Sequence, residues 1–447
     1  MTATGHGHGH GRLPQDESPG EAGRARAVLV AVVVPILLAT ALALALLWPR
    51  GALPEVQAAR DAYQGVSFEQ GRVQRVLQKA CAGDSTDRLA DGTIPATVTC
   101  VSVEVVLTTG PSTGKTVSFG LPPEAVRSGV VVGDLLEVVR YPPVQGQGEV
   151  FAYIDFARQV PMTVLAGVFA VLVVLVARWR GLLSLVGLGL AYAMIAYFVL
   201  PALRHQESPL LVGAVGATAI MSVILYLAHG VSRKTSTAFL GTVAGIWTSA
   251  GLAWWVTGAA HLNGLTSEEN LQLNKLTPFA DLGGLVLCGI ILAGLGVLND
   301  VTITQASAVW ELHQAAPGTS SRRLFRSGMQ IGRDHLASTV YTLAFAYAGA
   351  ALPTILLGSI YGRPLGQWLT SGEIAEEIAR SLVASVGLIL AIPLTTAIGC
   401  LVVRGVGHTP RAPLPRLADL PDAKPRGRRA AGTPTDQPPS GAAATRR

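Results

Sequence analysis

The residues best suited to chemistry lie between Gly294 and Pro353. Asp300, Thr304, Ser307, Glu311 and Gln314 recur at spacings of four, three, four and three. On an α-helix that spacing makes one polar stripe. After Pro317-Gly318, Ser320 or Ser321 is placed to cap a second helix. It carries Arg322, Arg323 and Arg326, then Arg333-Asp334-His335, with Thr339 and Thr342 on the face of His335. An imidazole exchanges protons near neutral pH, and Asp300 can pair with Arg333 across the two helices. Asn299, Asp300, Thr304, Gln305, Arg333, Asp334, His335 and Thr339 are therefore candidates for a shared polar vestibule, a pathway for an ion, a proton or a solute. Arg322, Arg323 and Arg326 are candidates for binding lipid headgroups or a cytoplasmic protein. The plainer alternative is a helix cap at Asn299-Asp300, a solvated stripe and arginines on headgroups. One histidine and two carboxylates do not define a metal site. Neither a nucleophile–base pair nor a Walker A, H-E-x-x-H, G-x-S-x-G or Rossmann pattern stands in a supporting context. No catalytic residue, cofactor or enzymatic activity is expected.

The elements that must position these residues are membrane spans. Half of the 447 residues are hydrophobic (50%) and only 14% are charged, with a mean hydropathy of +0.44; soluble domains carry about a quarter charged residues. Residues 28–48, 161–177, 182–203, 209–228, 236–257, 278–298, 336–358 and 381–403 each approach or reach the ~17–25 residues needed to cross hydrocarbon. Backbone groups in lipid must be satisfied within the chain, so these segments are read as helices. Glycines at 283, 284, 289, 294 and 296, and Gly241 with Gly245, favour close helix packing. The fold class expected is an all-α polytopic membrane bundle of about eight transmembrane helices. A small extracytoplasmic β-barrel-like domain occupies residues 49–160. Alternating runs at 71–78, 96–106, 115–121, 135–141 and 150–156, separated by Gly and Pro, fit an OB-like or SH3-like barrel. Cys81 and Cys100 flank its first loop; outside the cell they can form a disulfide, or they are two small apolar side chains.

Basic residues orient the bundle. Arg178, Arg180, Arg233, Lys234, the 322–333 arginines, Arg404 and Arg411 fall on one side, and Arg204, Lys275 and Arg363 on the other. Basic residues resist translocation, so both termini are expected inside a bacterial cytoplasmic membrane. The net charge of +6 is explained by these loops and the C-terminal tail without nucleic acid. Residues 1–27 read as a disordered cytoplasmic tail whose His6, His8 and His10 bind a transition metal weakly at most. Residues 406–447 read as a second such tail. Residues 28–48 read as an uncleaved anchor, cleavage near Ala58-Ala59 being the other reading. Residues 161–405 form a seven-helix membrane domain with 299–335 as a helical cytoplasmic loop.

Three stretches resemble one family. Asp281-Leu-Gly-Gly284, Gly296-Val-Leu-Asn-Asp-Val-Thr-Ile-Thr-Gln-Ala306 and Gly328-Met-Gln-Ile-Gly-Arg-Asp-His335 are similar to the YibE/F family of multi-spanning bacterial membrane proteins, as is the layout over 28–405. Asn299 and Tyr341 depart from the family's common form, which has an acidic residue and Asn there. The resemblance implies a permease-like membrane protein and brings no assigned activity. The expectation is a transporter or channel for an unidentified small solute or ion. A non-transporting scaffold or envelope sensor, using the outer domain for ligand or partner binding, is the alternative. The partners are the lipid bilayer and that solute; a homo-oligomer remains open.

Overall fold

A computed structural model describes residues 19–51, 57, 63–83, 85–89, 91–143, 148–266, 268–276, 281–362 and 364–404. The expected C-terminal tail, residues 1–18 of the N-terminal tail with His6, His8 and His10, and Ala58-Ala59 lie outside them. All described residues fall in one compact unit, Met1–Gly407.

The first helix, α1 (Pro19–Leu47), begins ahead of the expected 28–48 segment. A five-stranded antiparallel sheet follows: β1 (Ser67–Cys81), β2 (Val98–Leu107), β3 (Thr116–Gly120), β4 (Leu135–Tyr141) and β5 (Val150–Phe156), ordered β3-β2-β1-β4-β5, with the short helix α2 (Pro123–Arg127) between β3 and β4. Alternation in β2 turns Val101, Val103, Val105 and Leu107 inward onto Val73, Leu136 and Val138. Gly71 is needed where β1 crosses β2, because a Cβ there would sit 2.3 Å from Val105 Cγ1. The barrel is only half closed. Edge strands β3 and β5 approach one another but exchange no ladder, β3 being only five residues long. Charge bridges the gap: Glu149 accepts from Lys115 Nζ at 2.8 Å and from Arg140 at 2.6 Å.

That pairing gives a pH prediction. The Lys115 hydrogen bond, then that of Arg140, holds the Glu149 carboxyl below its ordinary value. A depressed folded-state pKa contributes stability above the unfolded value that is lost as pH falls through the folded one. The thermal midpoint of the sheet should therefore fall on acidification below about pH 4.5, and Glu149→Gln should flatten that slope. An unchanged slope in the variant refutes the bridge.

The rest is helical: α3 (Gln159–Met194), a π-turn at Ile195–Val199, α4 (Leu200–Arg204), α5 (Pro209–His229), α6 (Arg233–Ala259), α7 (Glu268–Leu276), α8 (Leu282–Ala293), α9 (Leu295–Ala315), α10 (Ser321–Ala350), α11 (Leu352–Ile360), α12 (Leu365–Leu369) and α13 (Gly372–Arg404). Among the described residues six helices are long and apolar enough to cross a membrane, or seven if α10 and α11, bent by 64°, form one span. Two features separate this count from the eight expected. The polar start of α10 passes only together with α11. The expected 161–177 and 182–203 segments run together as the 46-residue stretch Gln159–Arg204, about 69 Å if straight. It is not straight, because Arg178 leaves helical geometry (φ 55°, ψ −132°). A Cβ on Gly181 would lie 2.4 Å from the Val173 carbonyl oxygen, atoms about 12 Å apart along a continuous helix.

α5, α6, α8, α9 and α13 build the core around Met221, Ile246, Ile290, Leu298 and Val383. α6 and α13 run antiparallel in unusually close contact. A Cβ on Gly241 would meet Thr395 Oγ1 at 1.9 Å, one on Gly245 would meet Ala391 at 3.3 Å, and one on Gly387 would meet Ser249 Oγ at 1.9 Å. Small residues let the backbones approach. Gly241→Leu should lower unfolding stability by about 1–3 kcal/mol through overpacking, read by thermal aggregation in detergent; an unchanged midpoint would mean the seam yields freely.

Candidate functional site

α9 carries the first stripe, and three of its faces are occupied. Thr302 Oγ1 lies 2.6 Å from Thr242 Oγ1 on α6. The Gln305 amide, 3% exposed, donates to the Gly328 carbonyl of α10 at 2.8 Å and to Thr396 Oγ1 of α13 at 2.7 Å. Ile303 and Ala306 pack with Val33 of α1. Gly328 and Gly332 exist as glycines because Cβ atoms there would meet Thr396 Cγ2 at 3.0 Å and Ile392 Cγ2 at 2.5 Å. At 100° per residue, Asp300, Thr304, Ser307 and Glu311 fall in the remaining sector, and none of them is buried.

The Gln305 knot fixes how deep this sector lies. Arg233 starts α6 and Arg404 ends α13, and the α6–α13 contacts place these two termini at the same end of the bundle. Thr396 is about 12 Å along α13 from Arg404, and Asp300 is about 7.5 Å beyond Gln305. Counting through Thr242 and Thr302 instead puts Asp300 about 17 Å from the Arg233 level. Both paths put Asp300 about 17–20 Å from the basic end, more than half of the ~30 Å that a hydrocarbon layer spans. Arg333 is five residues past Gly328, so it stands at the same level, with Asp334 and His335 within about 3 Å of depth. Residues 299–313 and 321–335 thus lie alongside α6 and α13, and only the turn between α9 and α10 lies beyond their basic end.

Asp300 and His335 come together, Oδ2 to Nε2 at 3.6 Å, with side chains 64% and 35% exposed. That is ion-pair distance for a protonated imidazole and too long for a hydrogen bond. His335 Nε2 is itself shielded from solvent and accepts or donates no hydrogen bond. Thr304, Ser307 and Thr339 hydroxyls donate to the carbonyls of Asp300, Ile303 and His335, which leaves their oxygens as acceptors on the open face. Arg333 and Asp334 are exposed, and among the described residues no ion pair joins either to Asp300. Asn299 is not part of the group: it points about 100° away, on the Ile303 flank, with Oδ1 buried and unpartnered. Arg322, Arg323 and Arg326 are exposed on the first turns of α10. Cys81 and Cys100 are joined in a disulfide across β1 and β2, Cα atoms 5.8 Å apart. Among the described residues no cluster of three His, Cys, Asp or Glu is arranged to hold a metal.

The family model for YibE/F-like proteins matches residues 165–405, more than half of the chain. The chain belongs to the YibE/F-like family. No curated protein and no solved structure matches it. The YibE/F-like region contains all of α9 and α10, hence the whole Asp300–His335 site, and excludes the sheet.

The sequence reading missed a second polar group inside the YibE/F-like region, at the far end of α13. Glu376 is 7% exposed and accepts from Thr266 Oγ1 at 3.1 Å. Glu377 is paired with Arg380, and Glu373 accepts from Thr354 at 3.2 Å. The signal was present: three carboxylates and an arginine at helical spacing directly before an apolar run, in Gly372-Glu-Ile-Ala-Glu-Glu-Ile-Ala-Arg380. Starting the last span at 381 discarded it.

Proposed function

We propose that this YibE/F-like membrane protein is a permease-like transporter or channel for a small solute or ion, with Asp300 and His335 in its pathway. One observation carries the reading. An aspartate, 64% exposed, stands with a histidine near mid-span depth, where ionisable groups are costly unless they face water, protein or cargo. Thr304, Ser307 and Glu311 continue the polar surface from that level toward the Arg404 end, and the Glu376 group lies at the opposite end. Proton exchange at His335 would supply the coupling. The protein would sit in a bacterial cytoplasmic membrane with eight spans, counting α10–α11 as one and dividing Gln159–Arg204 at Arg178. Both termini would be inside and the sheet outside, where the Cys81–Cys100 disulfide is at home.

Two measurements test this. Reporter fusions after Arg180, Lys234, Gly318 and Arg404 should read cytoplasmic, and fusions after Gly133, Asn270 and Ser371 external; two reversals sink the topology. An untargeted comparison of solutes retained by deletion and overexpressing cells should reveal at least one that changes in opposite directions. None changing favours the scaffold reading.

A further inference from the structure

The open face of α9 and α10 is charged at one depth. Asp300, Arg333 and Asp334 are all exposed and stand within about 3 Å of one another along the bundle axis. On α10 one open face runs through Asp334, Ser338, Tyr341 and Phe345, four residues within about 60° of arc, and Arg333 stands on its flank, about 100° from Asp334. Tyr341 is 65% and Phe345 75% exposed. The exposed side of α3 is different. Val164, Val168, Leu172 and Leu175 offer only hydrocarbon, and lipid suffices to cover them.

Lipid tails cannot satisfy Asp300, Arg333 and Asp334. We propose that a second copy of this chain covers this face, in a two-fold dimer whose axis stands along the bundle axis. The polar pathway then lies between the copies, so the proposal rests on the permease reading. A two-fold axis in that direction sets residues of equal depth opposite each other. Arg333 of one copy therefore meets the Asp300–Asp334 level of the other, and the reverse contact is made at the same time. A partner of unrelated sequence has no reason to carry the complementary charges at that level; a second copy carries them by construction of the symmetry. Tyr341 and Phe345 supply the aromatic area that interface centres favour, and Ser338 lets the two α10 helices approach.

The full chain in native membranes tests this. Its own cysteines do not interfere, since Cys81 and Cys100 are joined and Cys288 and Cys400 are buried. Ser338→Cys should cross-link to a dimer under mild oxidation, and Val168→Cys should stay monomeric. Wild-type protein in lipid nanodiscs should have dimer mass. Arg333→Glu should weaken the dimer at least about thirtyfold by leaving buried charges unpaired. The exchange Arg333→Asp with Asp334→Arg should restore it. Monomer mass throughout, or cross-linking at 338 no faster than at 168, overturns the proposal. If Arg333→Glu fails to insert, the wild-type mass and the Ser338→Cys result still decide. The permease reading fails separately, when the dimer forms and no solute responds.

Discussion

Asp300→Ala and Asp334→Ala should each abolish solute movement while leaving abundance and membrane insertion intact. Asp300 lies 3.6 Å from His335 on a face that none of the described elements covers, so truncating it removes no packing contact within the fold of one copy. A surface change of that kind costs little stability, within about 0.5 kcal/mol. A carboxylate that the cargo or a proton must pass at that depth has no substitute once truncated. The two readouts should therefore separate widely, with transport falling to the level of cells lacking the protein and thermal midpoint barely moving. Variants that are simply unstable would make these residues caps and ion pairs. Fully active variants would place the pathway elsewhere.

The second large effect belongs to the sheet. Cys81→Ser or Cys100→Ser should destabilise it by about 3 kcal/mol, the loop-closure contribution of a bridge of this length. The bridge closes the longest connection in the sheet, between β1 and β2, which together pair over ten positions. Chemical unfolding of a soluble fragment, residues 60–158, measures it through strand circular dichroism. Free thiols that alkylate readily in protein taken from intact cells would contradict the bridge, as would equal stability with and without reductant.

Much of this was legible in the sequence because two periodicities carry it. β2 alternates with period two against a single inner face, and the apolar runs of α5, α6 and α13 are long enough to identify themselves. Two things were not legible. The depth of the last two spans was obscured by polarity: cap and spacing mark a helix from Ser321 through Arg333, Asp334 and His335, as α10 bears out, but hydropathy sets that charged stretch outside the membrane. Its true depth is set by one buried amide, Gln305, whose partners are 23 and 91 residues away in sequence. The stripe on α9 was read correctly as a stripe, but spacing alone cannot say which neighbour fills each sector. Gln305, Thr302 and Ile303 each take a tertiary partner, and only those contacts show that Asp300 keeps the open one. Asn299 was grouped with Asp300 by adjacency, although neighbours in sequence diverge by about 100° on a helix. Half-closure of the barrel was hidden for a related reason: strand length and closing ion pairs depend on which strands end up at the edges.

Thr304→Cys offers the most direct test of a polar pathway reaching mid-depth. Thr304 is exposed one turn from Asp300, and the change keeps both site charges. In inside-out vesicles the new thiol should react with a charged, membrane-impermeant thiosulfonate, and Val168→Cys should react only with an apolar maleimide. If Thr304→Cys ignores the charged reagent and takes the apolar one, that face meets lipid and the pathway does not exist.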